Sequence, residues 1–217
     1  MLSLSRLRQR LYDSFLFNRK PLNLYFSMIE EIVLSLFVKS YEHFSHEFED
    51  MPEREFAYLS LHHDLSKIEK VIVVGAGAIP YTAIFFSQKI GKPVFAIEKN
   101  ALAYFACLRL LRRLRIDAIK VVKGSGQLYC NYGHSLVIIT LHTLTKQMVL
   151  ERVISNDECG QIVVIRQPST QNMRLFESAS LEGLKYATIE HKKEGAYSFV
   201  ISNQFQPNTR IPNSQKS

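Results

Sequence analysis

From about residue 22 to residue 66 the apolar positions Leu24, Met28, Ile29, Ile32, Val33, Leu36 and Phe37 recur at three- and four-residue spacing. That period predicts amphipathic helix over the first third of the chain. At Ile68 the pattern changes to unbroken β-branched residues, and from there strand-like and helix-like runs alternate. Strands are predicted at Val71–Val74, Pro93–Glu98, Ile119–Val122, Ser135–Thr140 and Ile162–Arg166, with helices at Pro80–Lys89 and Ala101–Leu114. Such alternation predicts a parallel sheet with crossover helices. The end breaks the rhythm: Lys185–Lys192 and Tyr197–Asn203 are separated only by Lys193 to Ala196, which predicts an antiparallel hairpin. The expected organisation is a helical extension or lid over residues 1–66, a sheet domain over 67–205, and a polar, proline-bearing tail without structure over 206–217.

A length of 217 residues allows one domain with an appendage, and 47% hydrophobic with 22% charged residues excludes the disordered and fibrous classes. Cys107, Cys130 and Cys159 lack CxxC spacing, which argues against a disulfide framework and a zinc knuckle and for a reducing compartment. The apolar run Ile32 to Val38 is far shorter than the roughly 20 residues of a bilayer span. Arginines interrupt the N-terminal apolar positions, so a secretory signal is not expected; an amphipathic first helix is favoured over an organelle-transit segment. Cytoplasmic location follows as the expectation. The net charge of +7 raises the question of polyanions, with Arg6, Arg8, Arg10, Arg19 and Lys20 set against an acidic stretch from Glu30 to Glu55. Small anionic substrates benefit from such a field as much as polynucleotides do. Arg109, Arg112, Arg113 and Arg115 lie late in a helix, where they complement its dipole on a solvated face. Neither a nucleic-acid nor a membrane partner is expected, and oligomeric state is not indicated.

The strongest local motif is the strand Val71 to Val74 running into Gly75-Ala76-Gly77-Ala78-Ile79-Pro80 and then a helix with Thr82 in its first turn. Glycine permits the turn and lets a ligand approach the main chain, while the helix start offers unpaired N–H groups. Pro80 replaces the third glycine of a dinucleotide fingerprint, which disfavours pyrophosphate; proline itself suits a helix start. Glu98 ends the second strand about 20 residues beyond Gly77, the spacing at which an acid reaches ribose hydroxyls. Lys99 follows it, and Gly124-Ser125-Gly126 after the third strand offers a backbone edge for an adenine. Thr140 and His142 close the fourth strand, at the edge where acceptor-binding groups are expected.

A mostly parallel sheet closed by an antiparallel hairpin resembles the Rossmann-like class I S-adenosylmethionine (SAM)-dependent transferases. The turn Gly75 to Thr82 resembles the glycine-small-glycine-x-x-proline-x-threonine/serine turn of nicotianamine synthases and their bacterial metallophore-synthase relatives. Asp64-Leu-Ser-Lys-Ile-Glu69 is similar to that family's leucine-serine-lysine-leucine-glutamate stretch, Cys159 to Arg166 to its glycine-led fifth strand ending in arginine, and Arg174-Leu-Phe176 to its arginine-x-phenylalanine-leucine. Departures are Gln167-Pro168-Ser169-Thr170 in place of serine-alanine-histidine-glycine, Glu98 in place of aspartate, and a shorter helical extension than in plant members. The resemblance implies SAM as co-substrate, transfer of its aminobutanoyl group to a small-molecule amine or amino-acid acceptor, and methylthioadenosine as by-product.

The same fold accommodates a methyltransferase or a non-catalytic SAM-fold module, and both stay open. Arg166 at a strand end could hold a carboxylate of the acceptor or of SAM, or could pair with a local acid. Glu55 and Tyr58, just ahead of the sheet, are candidate lid or catalytic groups beside His142, with packing and surface roles as the alternative. His43 and His46 near Glu42, Glu47 and Glu49 read as a solvated acidic face, so no metal is expected. Tyr25, Phe26 and Phe37 read as core.

Overall fold

The run Val71-Ile-Val-Val can face two ways because both faces of the strand are covered. Val71 and Val73 pack into one apolar cluster, Ile72 and Val74 into another. A strand buried on both faces reads as a continuous apolar run without alternation. The computed structural model describes residues 29, 31–36, 50–155, 161–170, 173, 176–191 and 196–202. Within these, α1 (Asp50–His62), β1 (Lys70–Val74), α2 (Tyr81–Ile90), β2 (Val94–Glu98), α3 (Ala101–Leu114), β3 (Ile119–Lys123), β4 (Ser135–Ile139), α4 (Lys146–Ser155), β5 (Ile162–Pro168), β6 (Tyr186–His191) and β7 (Ala196–Ser202) follow in order. Residues 31–35 are also helical.

The strands form one seven-stranded sheet in the order β3-β2-β1-β4-β5-β7-β6. The first five are parallel; β7 pairs antiparallel with both β5 and β6, which builds the expected hairpin. α1, α2 and α3 cover one face, through Leu59, Phe86 and Leu110. α4 covers the other through Val149, Leu150 and Val153. The strand order reverses between β1 and β4, so the connections leaving their carboxyl ends run to opposite faces and open the crevice where open α/β sheets bind ligands. Thr140 N donates to Val74 O at 3.1 Å across that point.

Helix ends follow their local chemistry. The Asn100 side chain accepts from Leu102 N and Ala103 N and so starts α3, and Arg115 in the left-handed region ends it. Gly91, with φ of 66°, ends α2. Most bounds lie within a residue or two of the sequence expectation, and three of the shifts have a plain cause or consequence. α2 begins after Pro80 rather than on it, β5 runs on to Pro168 because β7 pairs with it that far, and β4 stops before Thr140. α4 was not anticipated, although Val149, Leu150 and Val153 carry helical spacing. The tail at 206–217, the pairs His43/His46 and Tyr25/Phe26, and Phe37, Cys159 and Arg174 lie outside the described residues.

Candidate active site

Gly75 and Gly77 both have positive φ, 77° and 72°, but for different neighbours. A Cβ on Gly75 would meet Thr143 Oγ1 at 2.5 Å and Thr140 Oγ1 at 2.7 Å, so this glycine makes room for the protein itself. The two threonines tie the turn to the end of β4: Thr140 Oγ1 donates to Gly75 O at 2.8 Å and Thr143 Oγ1 to Val74 O at 2.9 Å. At Gly77 the near neighbour of a Cβ is the Glu31 carboxylate, 2.5 Å from Oε2. That carboxylate also accepts from Ala78 N at 3.2 Å.

Glu98 stands across the same turn. Its Oε2 accepts from Gly77 N at 2.9 Å and its Oε1 from Asn100 N at 2.7 Å. Each carboxylate oxygen has a second lone pair, so the group can still accept two hydroxyl hydrogens. Gly124 N donates to Glu98 O at 3.0 Å, which brings the β3 end alongside, and a Cβ at Gly124 would meet nothing within 4 Å. Open space beside Gly124 contrasts with Gly126, where a Cβ would strike Val74 Cγ1 at 2.5 Å; Gly126 is a packing glycine. Lys99 is exposed and Ser125 half-buried beside this space. Ala76, Ile79 and Pro80 are buried, with Ala76 and Ile79 in the core cluster, so these two face the core and leave the main chain to meet a ligand.

Behind the turn lies a buried polar network drawn from five elements. Glu55 of α1 is 0% exposed and meets Arg166 of β5 in a two-pronged ion pair, Nε to Oε1 at 2.8 Å and Nη2 to Oε2 at 2.7 Å. Arg166 Nη1 donates to Thr82 Oγ1 at 2.9 Å in the first turn of α2. Ser198 of β7 donates to Glu55 Oε1, and His191 Nε2 of β6 lies 2.8 Å from Ser198 Oγ. Burial pushes the His191 imidazole down to about 4, against the opposing pull of Glu55. With Ser198 donating to Glu55, His191 Nε2 carries the proton, and Nδ1 is a buried acceptor without a partner among the described residues.

Of the two readings of Arg166, the pairing with a local acid is present: its fork is filled by Glu55. Glu55 is no surface group; α1 turns Met51, Glu55, Tyr58 and Leu59 inward on one stripe. Tyr58 OH is a buried oxygen with no partner among the described residues, and burial pushes its pKa above the usual tyrosine value. His142 is exposed just past β4 and stacks edge-on with Phe176 at 5.0 Å.

Lys146 was not singled out from sequence. It is fully buried, donating to Leu141 O at 3.0 Å and Arg166 O at 2.8 Å, and thereby ties the loop after β4 to β5. Burial lowers its ammonium to about 7 despite the attraction of Glu177. Glu31, Thr143, His191 and Ser198 were also missed. Each is a single polar residue in an apolar or mixed run, and only tertiary contact distinguishes it. Among the described residues no group of three or more His, Cys, Asp or Glu side chains could hold a metal, and no helix is long and apolar enough to cross a membrane.

No protein-family model matches the chain and no curated protein matches it. Solved structures do. A complex of MtNAS, a nicotianamine synthase, with MTA and tNA aligns at a TM-score of 0.72 and 15% identity, over 89% of this chain and 79% of that one. A point mutant of MtNAS in complex with S-adenosylmethionine aligns at 0.71 and 14% identity, over 89% and 81%. A SAM-dependent methyltransferase from Aquifex aeolicus aligns at 0.52 and 15% identity, over 69% and 88%. The fold is that of the class I SAM-dependent transferases. Within that fold the glycine turn follows the first parallel strand, and Glu98 ends the strand paired beside it.

Proposed function

We propose that the chain is a SAM-dependent transferase that binds SAM across the glycine turn. The observation that carries this reading is the Glu98 carboxylate, fastened to Gly77 N and Asn100 N with lone pairs to spare at the carboxyl edge of a class I SAM-transferase sheet. In this reading Glu98 accepts the ribose hydroxyls, the open edge at Gly124 and Ser125 takes the adenine, and the backbone from Gly75 to Gly77 lies against the aminobutanoyl end. Ala76, Ile79, Pro80, Thr82 and Thr140 shape that turn from behind, and Lys99 borders its rim.

We further infer aminobutanoyl transfer, supported by the turn motif and by the likeness to MtNAS along nearly the whole chain. SAM supplies a sulfonium with three attached carbons, and the carbon held in line with the acceptor nucleophile is the one transferred. The acceptor nitrogen forms a bond to that carbon, the carbon–sulfur bond breaks, and its electron pair stays on sulfur in methylthioadenosine. The attacking ammonium must first lose a proton, for which His142 at the same sheet edge is the candidate base. Tyr58 is buried in the core cluster with its ring against His62, and no catalytic step is assigned to it. Arg166 is not assigned to a ligand; its part is to hold Glu55 and Thr82 behind the turn. The fold likeness to the Aquifex aeolicus methyltransferase favours methyl transfer as the second reading.

Calorimetric titration of SAM onto the full chain tests the site. Binding that Glu98→Ala weakens by about 1–3 kcal/mol supports it, the scale for hydrogen bonds to a charged group. Equal affinity in a folded Glu98→Ala protein removes Glu98 from the site.

A further inference from the structure

α3 turns Ala103, Cys107, Leu110 and Leu111 into the core. At 3.6 residues per turn Leu102, Phe105, Arg109 and Arg112 fall together on the opposite side. Outward side chains of a helix packed on a sheet are normally polar. Here Leu102 is 63% and Phe105 61% exposed, at the end of α3 next to Glu98 and the candidate ligand site. The stretch from Lys99 to Lys123 carries four arginines between Arg109 and Arg115 and Lys120 on the edge strand β3, against Asp117 as its only acid. The surface continues onto a second segment: Arg113 Nη1 donates to Leu36 O, and Val33 and Leu36 are themselves exposed. Apolar and cationic side chains thus share one side of the molecule.

We propose that this side docks on the surface of an anionic lipid bilayer, with Leu102 and Phe105 entering the interface and the arginines and lysines meeting phosphate headgroups. Charge decides between occupants. A second copy placed face to face would set arginine against arginine, and residues 1–20 of the chain carry Arg6, Arg8, Arg10, Arg19 and Lys20 against Asp13, the same sign as the face. An anionic partner is therefore required. A polynucleotide would use a series of stacking platforms, whereas on this face Phe105 is a lone exposed aromatic among the described residues and Leu36, Val33 and Leu102 are aliphatic. Acyl chains reward all of these side chains equally. The expectation of no membrane partner rested on the lack of a spanning segment, and a surface helix needs none.

The proposal does not depend on the transferase reading, and its test needs no activity. The full chain is sedimented with phosphatidylcholine vesicles, with and without phosphatidylglycerol, at low and high salt. Binding is expected only with phosphatidylglycerol and to fall with salt. Arg109→Ala and Arg112→Ala should each weaken it about fivefold, the scale for one basic residue near an anionic surface. Phe105→Ser should weaken it further, while Lys185→Ala at the opposite sheet edge should leave it unchanged. Because these side chains are exposed, thermal unfolding of each variant should match the parent. No binding to anionic vesicles at low salt overturns the proposal, as does binding indifferent to Phe105→Ser. Tighter binding to single-stranded RNA, lost with Arg109 and Arg112 but not with Phe105, assigns the face to nucleic acid and overturns it too.

Discussion

Glu55 and Arg166, 111 residues apart in sequence, meet in a two-pronged ion pair with both side chains out of water. The pair fastens α1 to β5, and through Thr82 and Ser198 it also fastens the start of α2 and the hairpin. Removing one partner of a buried pair leaves the other charge uncompensated, at a cost of about 3–5 kcal/mol. Arg166→Met and Glu55→Leu should each lose about that much in denaturant unfolding. The double variant should recover most of it, since an apolar replacement of both charges is often neutral. Losses that simply add would show that the two side chains do not depend on each other.

His191 sets a pH dependence of known sign. Its folded value of about 4 lies below the ordinary 6.5, so between the two the unfolded chain binds a proton that the native chain refuses. Stability is then full above the ordinary value and falls as pH drops toward the folded one, by about 3 kcal/mol in all. Unfolding curves at a series of pH values should show this slope in the parent and a shallower one in His191→Gln. Parallel slopes in the two proteins would assign the acid sensitivity elsewhere.

The two glycines of the turn should respond differently to alanine. Gly75→Ala drives a methyl group between Thr140 and Thr143 at a positive φ, and both faults together should cost about 2–4 kcal/mol of stability. Gly77→Ala meets only the far end of the Glu31 side chain, which can swing away, so its stability cost should be near the roughly 1–2 kcal/mol of the backbone alone. SAM affinity should suffer instead. Equal melting temperatures for the two variants would contradict the assignment of Gly75 to protein packing.

Truncation separates the segments ahead of the sheet. A chain starting at Asp50 keeps Glu55 with Arg166 and loses Glu31 from the glycine turn, so it should fold with turnover abolished. A chain starting at residue 67 loses Glu55 as well and should not fold, as circular dichroism would show. Full turnover in the first truncation would remove the residues ahead of α1 from the lid expected over 1–66.

Strand positions were legible because a doubly covered parallel strand must be apolar throughout, as Val71 to Val74 and Ile162 to Ile165 are. The glycine turn and Glu98 were legible because spacing along the chain maps directly onto neighbouring strand ends, and the structure joins them through Gly77 N. Arg166 was legible as a strand-end arginine but not in its partner, since Glu55 lies in a helix whose acids looked like surface. Burial of one carboxylate among Met51, Tyr58 and Leu59 depends on a cation brought from the far side of the sheet. His191 and Ser198 sit at alternate, inward positions of the hairpin strands, where a polar residue looks no different from an outward one until the strand register is known. Leu102 and Phe105 were not singled out from sequence, and the packing of Ala103, Cys107 and Leu110 is what turns them out.

Incubation of the purified chain with SAM and a panel of amino acids and small amines, read by mass spectrometry, tests the central claim most directly. The account predicts methylthioadenosine together with an acceptor heavier by one aminobutanoyl group, both lost in Glu98→Ala. Adenosylhomocysteine in place of methylthioadenosine would contradict aminobutanoyl transfer while keeping a SAM-dependent transferase. SAM recovered unchanged with every acceptor would contradict the transferase itself.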